Sequence, residues 1–382
     1  MAVERMPITP EVLTWARERA GYKLEELAAK PRFRKIAEWE SGGPGPTYLQ
    51  LEEIAKALRL PMAVFFFPEP PDLPPIEETF RTIGSEQFDE IPPNVRLLLH
   101  KARSFQLGLS DLNNGRNPAD SLIVRDLQLN LDDTIESAAY RIRSALGVSL
   151  DAQLEWRGDT DIALKAWRSA FFRVGVFVFK DAFSAEDYCG FSLYDVEFPV
   201  IYINNSNPKT RQIFTLIHEL AHLLFRTSGV DRLGEFGNKP QDEMTRVERR
   251  CNALAGAILV PDAAFADELP VGPLPRVDAQ RLANKFSVSR EVIYRKFVDR
   301  EIIAQAEYDA AVEAWKAQLG ERKGSGGNYY RTKIAYLGEE YISLVLRRFY
   351  QGRFEEEELA YYLDTKLGNI DRLEEYFFGE RR

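Results

Sequence analysis

Histidine is scarce in this chain, and two of its three copies stand together in the run His218-Glu-Leu-Ala-His222. Residues four apart lie on one face of a helix. Both imidazoles can therefore offer a nitrogen to a single zinc ion, with Glu219 beside the coordination position left open. From Ile213 to Phe225 the segment is apolar apart from Thr215, His218, Glu219 and His222. A helix that apolar on all sides belongs in an interior. Two imidazoles and a carboxylate are costly to bury there unless something partners them, and a bound cation partners all three.

A hydrolytic zinc site keeps one position for water and takes three ligands from the protein. Glu248, in Glu248-Arg-Arg-Cys-Asn-Ala-Leu-Ala255, is the candidate third ligand. On a helix it shares a stripe with Cys251, Asn252, Ala255 and Leu259, while Arg246, Arg249 and Arg250 project to other sides. A carboxylate on a small, apolar stripe suits a ligand better than a solvated charge. A salt-bridged surface helix is the alternative, and Asp242 and Glu243 are the rival ligands. Asn252, one turn on from Glu248, is placed to hydrogen-bond the far nitrogen of a zinc histidine and fix its tautomer.

The elements that must hold these groups can be read around them. Asn207 and Pro208 offer an N-cap and a first helical residue for the histidine helix. Residues 198–203, β-branched and aromatic, read as a strand before it. Strand, turn and metal-binding helix in that order suit a zincin protease, in which an edge strand holds an extended peptide beside the metal. Residues 161–170 read as a helix and 174–180 as a strand. Residues 278–297 form a second helix-turn-helix-like pattern that either contacts DNA or braces the domain, and bracing is the favoured role.

Taken together, Gly190-Phe-Ser192, Pro199-Val-Ile-Tyr-Ile-Asn204, Phe214-Thr-Leu-Ile-His-Glu-Leu-Ala-His222, Glu248-x-x-Cys-Asn-Ala-Leu-Ala255 and Leu259-Val-Pro261 resemble the ImmA/IrrE family of zinc metallopeptidases over about residues 160–305. The resemblance implies zinc on His218, His222 and Glu248, with Glu219 as acid/base. It also implies a regulatory protease, since members characterised as peptidases cut DNA-binding repressors. In such a mechanism zinc lowers the pKa of water toward neutrality and polarises the scissile carbonyl, while Glu219 takes the water proton and delivers it to the leaving amine. A second oxyanion donor is usual. Tyr188, Tyr194 and Tyr202 are candidates by proximity, and packing is the favoured reading of each.

Residues 8–67 are helical in pattern. Their Trp39-Glu-Ser-Gly42 and Pro46-Thr-Tyr-Leu-Gln-Leu-Glu-Glu-Ile-Ala-Lys-Ala-Leu58 stretches resemble the Cro/XRE-type helix-turn-helix that many ImmA/IrrE-family proteins carry. Between the second helix and Trp39 the chain is about two residues shorter than that module, which damages the turn and the start of the recognition helix. Arg32, Arg34 and Lys35 remain as phosphate contacts for weak DNA binding. A helical protein-interaction domain that no longer reads DNA is the competing reading.

The proline-rich residues 68–87 read as a stiff linker. Residues 88–150 read as a helical extension packed on the protease core, with His100 at an interface or on the surface. Residues 320–327, rich in glycine, read as a flexible linker to a helical region ending at 382. That aromatic, amphipathic tail suits docking on a partner or on the body of the protein. It resembles the C-terminal region of family members encoded beside PIN-like toxin nucleases.

The expected fold is therefore α+β: a mostly helical, zincin-like metalloprotease core with a small mixed sheet, an N-terminal helix-turn-helix domain (1–67), a helical extension plus core (88–319) and a helical C-terminal region (320–382). The formal charge of −9 argues against broad nucleic-acid coating. Two cysteines give no disulfide framework, the start lacks a signal-peptide core, and no run reaches membrane-spanning length. A cytoplasmic zinc endopeptidase that cuts a DNA-binding regulator is expected. An antitoxin-like or repressor module that binds a partner without cutting it is the alternative.

Overall fold

The computed structural model describes residues 4–73, 90–185, 187–226, 230–232, 243–269, 279–318 and 327–379. The chain divides into two compact units, Met1–Arg103 with Phe183–Ala185, and the remainder. Much of the proline-rich stretch and the glycine-rich residues 319–326 lie outside the described residues.

In the first unit, α1 (Pro10–Arg19), α2 (Leu24–Ala28), α3 (Ile36–Glu40) and α4 (Tyr48–Leu58) surround a core that includes Leu13, Ile36, Trp39, Leu51 and Phe65. Helix α4 starts on a capping box. The Thr47 hydroxyl accepts from the Gln50 N–H, and the Gln50 side chain accepts from the Thr47 N–H. Arg17 clamps the end of α3 through two bonds to Glu40, at 2.7 and 3.0 Å. The chain makes a 3-10 turn at Pro31–Phe33 and then a helix of only 5 residues. The long helix α5 (Pro93–Leu112) begins in this unit and continues into the second. The expected extension of the protease core is thus divided: residues up to Arg103 group with the N-terminal helices. His100 on α5 is held against the carbonyl of Arg19 at 2.9 Å, so it is an interface histidine.

The second unit continues with α6 (Ile123–Asp126), α7 (Ile135–Leu146), α8 (Leu150–Leu154), α9 (Thr160–Arg173), β1 (Phe177–Asp181), β2 (Tyr188–Leu193), β3 (Val200–Asn204), α10 (Lys209–Leu224), β4 (Val230–Arg232) and α11 (Glu243–Leu259). After these come α12 (Asp262–Ala266), α13 (Ala279–Phe286), α14 (Arg290–Asp299), α15 (Gln305–Gln318), α16 (Tyr329–Leu337), α17 (Glu339–Tyr350), α18 (Glu356–Tyr362) and α19 (Ile370–Gly379).

Among the described residues the strands form one mixed sheet in the order β1-β3-β2-β4, with β3 parallel to β1 and antiparallel to β2. This corrects one expectation. The strand before the histidine helix is not an edge: both sides of β3 are hydrogen-bonded to neighbours, so it has no free backbone for a peptide. Alternation along the strands sorts the side chains onto two faces. Val178, Ile201 and Ile203 join the cluster formed with α9, α10 and α11. Phe179, Phe191 and Tyr202 point the other way. Phe179 stacks on Phe105 at 4.4 Å and meets Tyr341 edge-on at 4.9 Å.

The C-terminal region is therefore part of this unit, covering the second face of the sheet. Arg168 on α9 fastens it at the sheet edge. One guanidinium donates to the carbonyls of Ala335 (2.7 Å) and Tyr336 (3.4 Å), near the end of α16, and to Val178 (2.8 Å) on β1. On the first face, Gln153 is fully buried and bonds the carbonyls of Leu259 and Phe286, while Arg143 bonds that of Ile258. These contacts tie the end of α11 to α7, α8 and α13. Leu282, Phe286, Ile293 and Phe297 of the α13–α14 pair sit in the same core, which fits a bracing element.

Candidate metal centre

Helix α10 is buried along almost its whole length. It starts one residue later than the sequence suggested: Pro208 is the N-cap and Lys209 the first helical residue. A proline in extended conformation stops the helix from running further back, so Asn207 lies outside it. Helix α11 crosses against α10 and brings Glu248 to the histidines.

The three expected ligands converge. The Nε2 atoms of His218 and His222 are 3.0 Å apart, and Glu248 lies 3.4 Å from His218 Nε2 and 3.0 Å from His222 Nε2. Donors held about 2.0–2.2 Å from a tetrahedral zinc would sit roughly 3.3 Å from one another. The spacing thus suits one zinc ion, and two imidazoles with a carboxylate are a zinc donor set. The histidine side chains are 2% and 4% exposed while that of Glu248 is 29% exposed, so the site opens on the Glu248 side. Burial pushes the Glu248 carboxyl up, but hydrogen bonds from His218 and His222 outweigh it and hold the carboxyl well below the usual range. It is therefore an anion at neutral pH, the form a metal requires.

Glu219 is completely buried between the ligands on the same helix and is not one of the converging three. Asn252 corrects another expectation. It is half-buried and carries no hydrogen bond to an imidazole. Cys251, one residue earlier, is buried and stands against His222. Both residues fall on the stripe seen in the sequence, but the one three positions after Glu248 faces the imidazole. Burial pushes the Cys251 thiol up, so it stands there as a neutral thiol. Neither Cys189 nor Cys251 is in a disulfide. Of the rival ligands, Asp242 lies outside the described residues, and Glu243 opens α11, more than a turn before Glu248.

The tyrosines separate by face. Tyr202 stacks on Phe191 at 5.3 Å on the side of the sheet away from α10, which removes it as an oxyanion donor. Tyr194 packs half-buried against the cluster containing α10, and Tyr188 is buried in β2. Strand β4, three residues long, had no sequence signal strong enough to find it.

The N-terminal cations lie on the surface of the first unit. Arg32 pairs with Glu53 at 3.2 Å and Lys35 with Glu38 at 3.6 Å, both solvent-exposed. Arg34 is exposed on the turn between them.

Comparison with known proteins agrees with this geometry. Residues 173–297 match the Peptidase_M78 family model, the IrrE N-terminal-like domain. The match begins just before β1 and ends within α14, so it takes in the sheet, both site helices and the bracing pair. Over 99 residues the chain is also 35% identical to the radiation response metalloprotease IrrE of Deinococcus radiodurans. That likeness covers 25% of this chain and 30% of the relative. The similarity is thus to a metallopeptidase domain, and it spans under a third of the curated relative's length.

Proposed function

We propose that this chain is a cytoplasmic zinc-dependent endopeptidase that cleaves a DNA-binding regulatory protein. The observation that carries the reading is the convergence of His218, His222 and Glu248 within 4.8 Å, with Glu219 buried beside them. The likeness to a radiation response metalloprotease supports it. A zinc ion held by these three residues would polarise a scissile carbonyl and acidify water. Glu219 is then the base that takes the water proton and returns it to the leaving amine. The low dielectric around it strengthens both steps. Among the described strands β4 has one unpaired edge, and an extended peptide can add to it as a further strand. Cleavage of candidate regulators by wild type, with Glu219→Gln binding but not cutting them, tests the reading.

The binding-module alternative, in which a toxin nuclease or repressor is held without being cut, draws on aromatic side chains left exposed in the C-terminal region. Tyr350 and Tyr361 are 64% and 60% exposed. If no candidate is cut under any trigger and such a partner binds equally well without metal, this alternative replaces the first.

A further inference from the structure

Gly190 lies where the backbone of β2 meets helix α10. Its φ is not in the left-handed region, so the backbone conformation would accept any residue; what it lacks is space. A Cβ placed there would lie 2.5 Å from the Thr215 methyl, 2.9 Å from the Tyr202 carbonyl oxygen and 3.8 Å from Cγ of Glu219. The first two distances are shorter than atoms tolerate, and neither neighbour yields easily. Thr215 is fully buried and β-branched, with few rotamers open to it, and the carbonyl is backbone of β3. Thr215 stands one helical turn before Glu219, on the same face of α10. The absent side chain therefore sets how closely the sheet and the helix approach, at the turn that carries the carboxylate. His218 and His222, by contrast, meet Glu248 on the α11 side.

From this contact we infer that Gly190 is a positioning residue: it fixes the depth of the Glu219 carboxylate relative to the three ligands, without touching metal or substrate. Gly190→Ala must drive α10 from β2 by a few tenths of an ångström or more, displacing Glu219. The ligand set can follow, because His218 and His222 meet α11 on a face of α10 turned away from the one that carries Thr215 against β2. This rests on the peptidase reading for its chemistry, but it can be tested without a substrate. Acetohydroxamate binding can be read from the visible spectrum of cobalt-loaded protein, since a hydroxamic acid gives its proton to a base beside the metal.

Glu219→Gln defines the full loss of affinity. Gly190→Ala is expected to bind one cobalt per chain with an unchanged far-ultraviolet spectrum, yet to lose at least half of that affinity change on a logarithmic scale. Adding Thr215→Ser, which removes the offending methyl, should restore part of it, while Thr215→Ser alone should bind as wild type. With a cleaved substrate in hand, kcat should fall about tenfold or more with KM little changed. Wild-type hydroxamate affinity in Gly190→Ala overturns the inference. So does a loss that comes with loss of cobalt or of folding and is not relieved by Thr215→Ser, because that would make Gly190 a packing residue only. If wild type cuts nothing while the hydroxamate series behaves as expected, the peptidase reading fails and the placement of Glu219 stands.

Discussion

At the scale of single residues, the protein uses its few histidines in two opposite ways. His218 and His222 share the Glu248 carboxylate. His100 is held neutral: burial, helped by the Arg19 guanidinium, pushes its pKa down to about 4. The unfolded chain binds that proton through about pH 6.5, while the folded unit resists it down to about 4. The unfolded state thus takes up more protons in that window, and the N-terminal unit should lose stability as pH falls through it. Melting of wild type should drop between about pH 7 and about pH 5, and His100→Gln should show a flatter dependence. Equal slopes would remove His100 from the account. At the metal centre, His222→Ala should abolish binding of one zinc per chain, because it breaks a three-ligand site, whereas Glu219→Gln should keep the metal. Full zinc in His222→Ala by elemental analysis would contradict the ligand assignment. The convergence of His218, His222 and Glu248 was legible in the sequence because two imidazoles spaced four apart on an apolar helix are costly to bury without a partner. The pairing of His222 with Cys251 was not, since residues three and four after Glu248 both lie near one face and only packing decides between them.

At the scale of elements, helix patterns and the strand before α10 could be read, but sheet order could not. A run of β-branched residues looks the same at an edge as in the interior, and β3 proved interior. The C-terminal region was legible as helical and aromatic, but its destination depended on Arg168, whose bonds to α16 and β1 join parts far apart in sequence. Arg168→Ala leaves three carbonyls without that donor and should destabilise the protein by about 3 kcal/mol in chemical denaturation. A change under about 1 kcal/mol would mean that the aromatic contacts of Tyr341 hold the region unaided. In the first unit, α3 is only 5 residues long and two of the three nearby cations face acidic partners. A helix that short offers few side chains to a major groove. Duplex DNA should bind weakly, with affinity falling steeply as salt rises. Tight, sequence-selective binding at physiological salt, lost on Arg34→Ala, would show that the turn before α3 reads bases.

At the scale of the whole molecule, a sheet with a helical layer on each face places the metal helix where two kinds of support meet. The first face carries α10 and α11, braced by Arg143, Gln153 and the α13–α14 pair, and the second is closed by the C-terminal helices. The N-terminal unit contains its own core and its own buried ion pair between Arg17 and Glu40. No helix among the described residues is long and apolar enough to cross a membrane. The sequence conveyed this organisation in part: its motif-bearing stretch, about 160–305, overlaps the domain match at 173–297. It did not convey that residues 327–379 complete the same unit, because the contacts that bind them are aromatic and long-range. The central claim is that four side chains on two helices make a hydrolytic zinc centre aimed at another protein. Its most direct test is a comparison of new protein N-termini in cells producing wild type and in cells producing zinc-replete Glu219→Gln. The account predicts a small set of new N-termini, dominated by a DNA-binding regulator, in wild-type cells alone. The same new N-termini in both, at similar abundance, would contradict it.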